Sequence, residues 1–153
     1  SNGSPVRRLI EAGLNPKQIV QIGINDFSNS SDYEQLAHSL GITVITRTEV
    51  ASIGIANACK KALEIAGASL GPIHVDLDVD VCDQSVVPAC PAAAPGGISA
   101  FELRQAARLL TANSLVRGLD ITEIDASRDA EDQRTIRLGA LLVLEAAAGY
   151  LKR

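Results

Sequence analysis

Short β-branched runs alternate with longer Ala- and Leu-rich segments along the whole of this chain. That alternation limits the folds available to it more than any other feature. Residues 18–24 (QIVQIGI), 42–45, 73–79 (IHVDLDV) and 115–121 (LVRGLDI) read as strands, bounded by Gly, Pro and Asn. Residues 5–12, 32–40, 48–66, 99–110 and 130–151 read as helices. Pro5 suits a first turn with Ser4 before it as cap, and Ser99 with Glu102 has the spacing of a capping box. A strand–helix alternation of this kind implies right-handed crossovers. The expected class is therefore α/β: a mostly parallel sheet with helices on both faces, in three layers. With 3% aromatic residues, Leu, Ile, Val and Ala must fill the core.

The 153 residues make one domain's worth of chain. The net charge of −4, without a Lys/Arg run, argues against nucleic acid as a partner. No apolar stretch approaches the ~20 residues of a membrane span, and the first residues lack an apolar signal core. Cys59, Cys82 and Cys90 form an odd set without CxxC spacing. They read as reduced thiols of a cytoplasmic protein.

Ligands of open α/β sheets bind outside the carboxyl ends of the strands. Two acidic clusters fall at such ends. Asp76, Asp78 and Asp80 alternate along one strand and so project to one side of it. Like charges in a row on a buried strand need a neutralising partner, and carboxylate oxygens suit a hard divalent cation. The structural alternative is that Asp80 opens the loop, Asp78 caps a backbone turn and Asp76 pairs with an arginine. An EF-hand is excluded, because its sixth and twelfth positions would be Val81 and Val87. Neither GxGxxG nor GxxxxGK[ST] occurs, which argues against a nucleotide-using transferase. The second cluster, Asp120 to Asp125 with Glu123, could grip a planar cation such as a guanidinium or amidinium, or could simply be surface charge. Residues 128–134 read as a solvated, self-paired loop and helix start. His38 and His74 read as surface or packing residues. Cys82 and Cys90 lack the histidine partners of a zinc site.

The run Asp78-Val-Asp80-Val-Cys-Asp83, with Pro88 and Gly96-Gly97 following, resembles the signature of the arginase (ureohydrolase) family. So does Gly118-Leu-Asp120-Ile-Thr-Glu123 at the next strand end, and Asn2-Gly-Ser-Pro5 resembles the family's H-G-x-P segment. The resemblance spans nearly the whole chain and implies an arginase-like fold. It selects Asp78 and Asp80, not Asp76, as metal ligands, with Asp78 bridging two manganese ions and Asp80 binding one. Glu123 inherits contact with a small-molecule amidine or guanidine substrate, Asn2 the substrate's carboxylate end, and Asp83 and Asp120 a role in loop geometry. Family members are commonly trimers or hexamers, so a homo-oligomer is implied.

Two departures follow. The family's upstream histidine- and aspartate-bearing metal segments are missing, so two of the six expected ligands are present. Residues 1–153 therefore read as the C-terminal half of a single domain, inactive alone. Asn2 also stands where arginases have histidine. That substitution, together with Glu123-x-Asp125-x-x-Arg128-Asp129-x-x-Asp132-x-Arg134-Thr135, is similar to the formimidoylglutamase branch. The implied reaction is metal-assisted hydrolysis of N-formimidoyl-L-glutamate to L-glutamate and formamide, in histidine degradation. The alternatives are an agmatinase, guanidino-acid hydrolase or arginase, and a non-catalytic scaffold of the same fold.

Overall fold

The computed structural model describes residues 5–153, so Asn2 and the expected Ser4 cap lie outside the described residues. The chain runs α1 (Pro5–Glu11), β1 (Val20–Ile24), α2 (Ser31–Leu40), β2 (Thr43–Thr46), α3 (Arg47–Ile53) and α4 (Ile55–Ala66). It continues through β3 (Ile73–Asp78), α5 (Ala100–Thr111), β4 (Val116–Thr122) and α6 (Arg134–Tyr150). Single 3-10 turns occupy Pro16–Gln18, Val79–Val81 and Ala126–Arg128.

The strands pair in parallel as expected, but as two separate pairs and not as one four-stranded sheet. β1 lies beside β2 with Val20 opposite Thr43, and β3 lies beside β4 with Asp76 opposite Asp120 and Asp78 opposite Thr122. Among the described residues, no backbone ladder joins the two pairs. They meet through side chains. β1 has a bulge at Gly23, whose φ is +85°, and a Cβ there would collide with Val81 just beyond β3.

The single helix expected over 48–66 is two. Gly54 sits at φ +80°, a conformation that a helix interior cannot contain, and it ends α3 and begins α4. α3 is capped by the Thr46 hydroxyl, which accepts from Glu49 N. α6 starts at Arg134 and not at residue 130, because Gln133 is left-handed and the Asp129 carboxylate accepts the free N–H groups of Thr135 and Ile136. The capping box of Ser99 and Glu102 forms as expected.

The core is aliphatic. Ile45, Val50, Val79, Val87, Ile98 and Leu142 are fully enclosed, while Phe27, Tyr33, Phe101 and Tyr150 are all exposed. On β3 the pattern is strict: Ile73, Val75 and Leu77 are buried, and His74, Asp76 and Asp78 face the other way. α6 packs on α5 through Leu138 and Leu142, yet Ile136, Val143, Leu144 and Tyr150 leave it apolar on the outside too. A Glu145 carboxylate, 8% exposed, is held in the α5–α6 contact by Arg104 and Arg108 at 2.7 and 2.5 Å. Among the described residues, no helix is long and apolar enough to cross a membrane.

Candidate metal and substrate site

β3 delivers its carboxylates to the carboxyl end of the β3–β4 pair. Strand geometry stops at Asp78, whose Oδ1 accepts the Asp80 backbone N–H at 3.0 Å and folds Val79–Val81 into a 3-10 turn. That turn brings Asp80 back beside Asp78 instead of carrying it further along the strand line. Asp78 therefore does cap a backbone turn, as the structural alternative required. The cap uses only one of its oxygens, however, and offers no cation.

The electrostatics show what is missing. Partial burial pushes the Asp78 carboxyl up to about 7, and the charges of Asp80, Asp76 and Glu123 add to it against the Asp80 N–H bond. Burial also raises Asp80, with the Asp76 charge in support and the Asp78 hydrogen bond opposing. Among the described residues neither has an ion-pair partner. Asp78 is half-buried and Asp80 more exposed, and adjacent carboxylates without a counter-charge are the donor set a divalent cation stabilises.

Asp76 is set apart. Its Oδ1 accepts from the Thr122 hydroxyl at 2.8 Å across the β3–β4 pair, so its partner is a threonine and not an arginine. Asp120 accepts from or pairs with His74 Nε2 at 3.0 Å near the start of β3, away from the strand end. His38 lies exposed in the last turn of α2. Asp83 organises the following loop: it accepts from the Ser85 hydroxyl and N–H and from Gly96 N at 2.8 Å, and these bonds hold its carboxyl below the usual range. The three cysteines are buried and free.

Glu123 immediately follows β4, with φ +64°. A non-glycine residue in that region is strained, and such strain concentrates at functional positions. It turns the chain just past the point where Thr122 pairs with Asp78, so Glu123, Asp78 and Asp80 share one strand-end space. The structure thus brings together three of the four residues chosen from sequence. No group of three or more His, Cys, Asp or Glu side chains among the described residues is arranged to hold a metal by itself. Asp78 and Asp80 fit a cation as donors, but they form only part of a coordination sphere.

The loop of residues 79–98 folds back along this end. Ile98 N donates to Val81 O at 2.9 Å, and Asp83 N donates to Ile98 O at 3.0 Å. Gly97 is pressed onto the Cys82–Asp83 peptide, where a Cβ would lie only 2.5 Å from Cys82 O. Val87, Cys82 and Ile98 seal the loop from beneath.

The sequence pattern of the arginase family matches residues 1–149 of this chain. The chain belongs to the arginase family. A formimidoylglutamase of Halalkalibacterium halodurans is 40% identical over 99% of this arginase-family chain and 46% of its own length. The crystal structure of the Bacillus subtilis formimidoylglutamase superposes with a TM-score of 0.92 at 33% identity, covering 97% of this chain and 47% of that one. A Trypanosoma cruzi formiminoglutamase solved with Mn2+ superposes at 0.91 and 22% identity, which establishes the shared fold. The chain spans about half the length of the relatives it matches. The two parallel strand pairs are thus part of an arginase fold, as the resemblance implied.

Arg47, Asn25 and Thr122 also bear on the site, and motif reading passed over them. Asn25 Nδ2 donates to Pro95 O at 3.1 Å and Arg47 Nε donates to Gly96 O at 3.2 Å. Their partners are backbone carbonyls 70 and 49 residues away. No residue-type pattern encodes such contacts.

Proposed function

We propose that this chain is the carboxyl-terminal half of a metal-dependent arginase-family hydrolase that cleaves a C–N bond of a linear amidine, N-formimidoyl-L-glutamate, releasing L-glutamate and formamide. The observation that carries the reading is the uncompensated Asp78–Asp80 pair at a strand end with Glu123 turned in beside it. Identity to formimidoylglutamases over almost the whole chain supports the substrate class. The Asn2-Gly-Ser-Pro5 and Glu123 to Thr135 motifs favour the formimidoyl branch over the guanidine hydrolases.

Asp78 and Asp80 would hold the metal, and manganese is the ion named in the Trypanosoma cruzi structure of the same fold. When bound, the metal pair supplies a lowered pKa for the attacking water. This chain's own residues then have separable tasks. The Asp80 N–H fixes one Asp78 oxygen through its hydrogen bond, which leaves the other free to ligate. Thr122 donates to one Asp76 oxygen across the strand pair and so orients that carboxylate toward β4. Glu123, a carboxylate, matches an amidinium through paired charge-assisted hydrogen bonds and stabilises positive charge on the reacting carbon's nitrogens. Asn2 would contact the substrate's carboxylate end.

The remaining ligands would come from the part of the relatives' length that this chain does not cover. The second apolar stripe of α6, with Leu144 64% and Val143 58% exposed, supports that reading, since an isolated helix of a finished domain seldom needs two.

The test is made in the complete protein. Asp80→Ala should lose bound manganese, read by elemental analysis, together with formamide release. Glu123→Gln should keep the metal and lose rate or affinity. Full activity in either variant, or faster turnover of agmatine, guanidinobutyrate or arginine than of N-formimidoyl-L-glutamate, would refute the corresponding assignment.

A further inference from the structure

Three contacts converge on the Pro95–Gly97 turn of the long loop, and each comes from a different element. Asn25 at the end of β1 donates to Pro95 O, Arg47 at the start of α3 donates to Gly96 O, and Asp83 beyond β3 accepts from Gly96 N. The turn is therefore held between the two strand pairs, which share no backbone ladder. Thr48, the next residue of α3, reaches Asp26 on the loop after β1 at 3.4 Å. The first turn of α3 thus contacts both loops that border the strand-end site.

Arg47 has no ion-pair partner among the described residues, and its Nη1 is buried without an acceptor. A half-buried guanidinium so placed is a weak source of stability, since its desolvation is poorly offset. Its charge is felt at Glu102: despite desolvation, that carboxyl stays below the usual range through its bonds to Ser99 and the nearby Arg47. The geometry is that of a residue kept for where it holds the loop.

We infer that Arg47 is a positioning residue: by grasping Gly96 O it closes the loop of residues 83–98 over Cys82 and fixes that loop against the β1–α2 loop as one wall of the substrate site. It does not touch substrate or metal. Asp78 ends β3, Asp80 lies in the turn that Asp78 caps and Glu123 directly follows β4, and none of the three is bonded to Arg47. What depends on it is the rim through which an amidine must pass. This last step rests on the hydrolase reading, whereas the loop closure itself does not.

The cysteines provide a readout that needs no substrate. Cys82, fully buried, lies under Gly97, and Cys59, 1% exposed, lies in α4 outside the loop. Both thiols are enclosed, so each meets a disulfide reagent only after an opening. In the complete protein, Arg47→Met should speed labelling of Cys82 about ten- to a hundredfold, the equivalent of one charge-assisted hydrogen bond. Cys59 labelling should stay within about twofold, because local opening spares α4. Arg47→Lys, which keeps a charged donor, should bring Cys82 back toward the parent rate. Equal acceleration at both cysteines, no acceleration at Cys82, or no rescue by lysine would each overturn the assignment.

In the complete hydrolase, Arg47→Met should raise KM for the amidine about fivefold or more, with kcat within about twofold and manganese content unchanged. An unchanged KM, or a loss of metal, would overturn the positioning role even if the labelling result held. Absence of amidine hydrolysis in the parent enzyme would instead refute the proposed function and leave the labelling result to decide the loop closure.

Discussion

Replacing Gly97 by alanine tests whether the loop beyond the candidate ligands is held by backbone contact. The added Cβ would sit 2.5 Å from Cys82 O and closer still to Cys82 C and Asp83 N. Ordinary contact at such atoms is about 3.5 Å, so the overlap approaches ~1 Å against peptide atoms that cannot rotate away. Relief requires the two segments to part. That weakens the Ile98 N to Val81 O and Asp83 N to Ile98 O bonds, now 2.9 and 3.0 Å. Two buried backbone bonds are worth about 2 kcal/mol together, and the residual overlap adds about 1–3 kcal/mol. Loss of glycine entropy in the unfolded chain returns about 0.5–1 kcal/mol. The net expectation is a loss of about 3 kcal/mol. For a chain of this length that lowers Tm by roughly 6–12 °C. Thermal unfolding followed by circular dichroism measures it. Gly139→Ala serves as control, since its Cβ would meet only the end of the Ile124 side chain at 3.4 Å, and it should leave Tm unchanged or raised. If Gly97→Ala melts within about 2 °C of the parent, the close-packing argument is wrong.

Other expectations follow from the same structure. Asp78 has a folded-state pKa of about 7, above its ordinary 3.8, so in the metal-free chain the folded state keeps a proton that the unfolded state has lost between those values. Its contribution to stability therefore falls as pH rises through that window. Asp78→Asn removes this dependence, and denaturant midpoints of parent and variant should diverge by on the order of 1–2 kcal/mol between pH ~4.5 and ~7.5, discounted for the group's partial exposure. Parallel pH curves would contradict it. Glu145→Ala leaves two guanidinium groups of the α5–α6 contact without an acceptor. Because Arg104 and Arg108 are 37% and 46% exposed, the loss should lie at the low end of about 1–3 kcal/mol in urea unfolding. An unchanged midpoint would show the cluster to be neutral. Finally, this chain alone should gain no more than about 1 °C in Tm from millimolar manganese over chelator, as expected of a partial ligand set. Calorimetry showing two tight sites would refute the half-site reading.

The strand–helix alternation made the α/β class legible, because β-branched and Ala/Leu-rich segments have different preferred backbones wherever they are placed. The capping residues were legible for the same reason: Ser99 with Glu102 needs nothing beyond its own turn. Strand alternation singled out Asp76, Asp78 and Asp80 together; the resemblance to the family signature narrowed these to Asp78 and Asp80 and added Glu123, and the structure brings those three to one end. Segment boundaries at Gly54 and Arg134 were less legible, since a left-handed residue or a carboxylate cap decides them.

Contacts between distant segments lay beyond the sequence. That the strands form two pairs depends on segments distant in sequence lying side by side, and the Thr122–Asp76 and Arg47–Gly96 contacts join residues 46 and 49 positions apart. Composition and periodicity carry no term for such meetings. By itself, then, the sequence, through its resemblance to a family signature, nominated the carboxylates proposed to serve a metal and an amidine. The tertiary structure decided which carboxylate binds a threonine across the strand pair and which folds the turn that brings Asp80 beside it. Desolvation and charge proximity exist only after the chain has closed on itself.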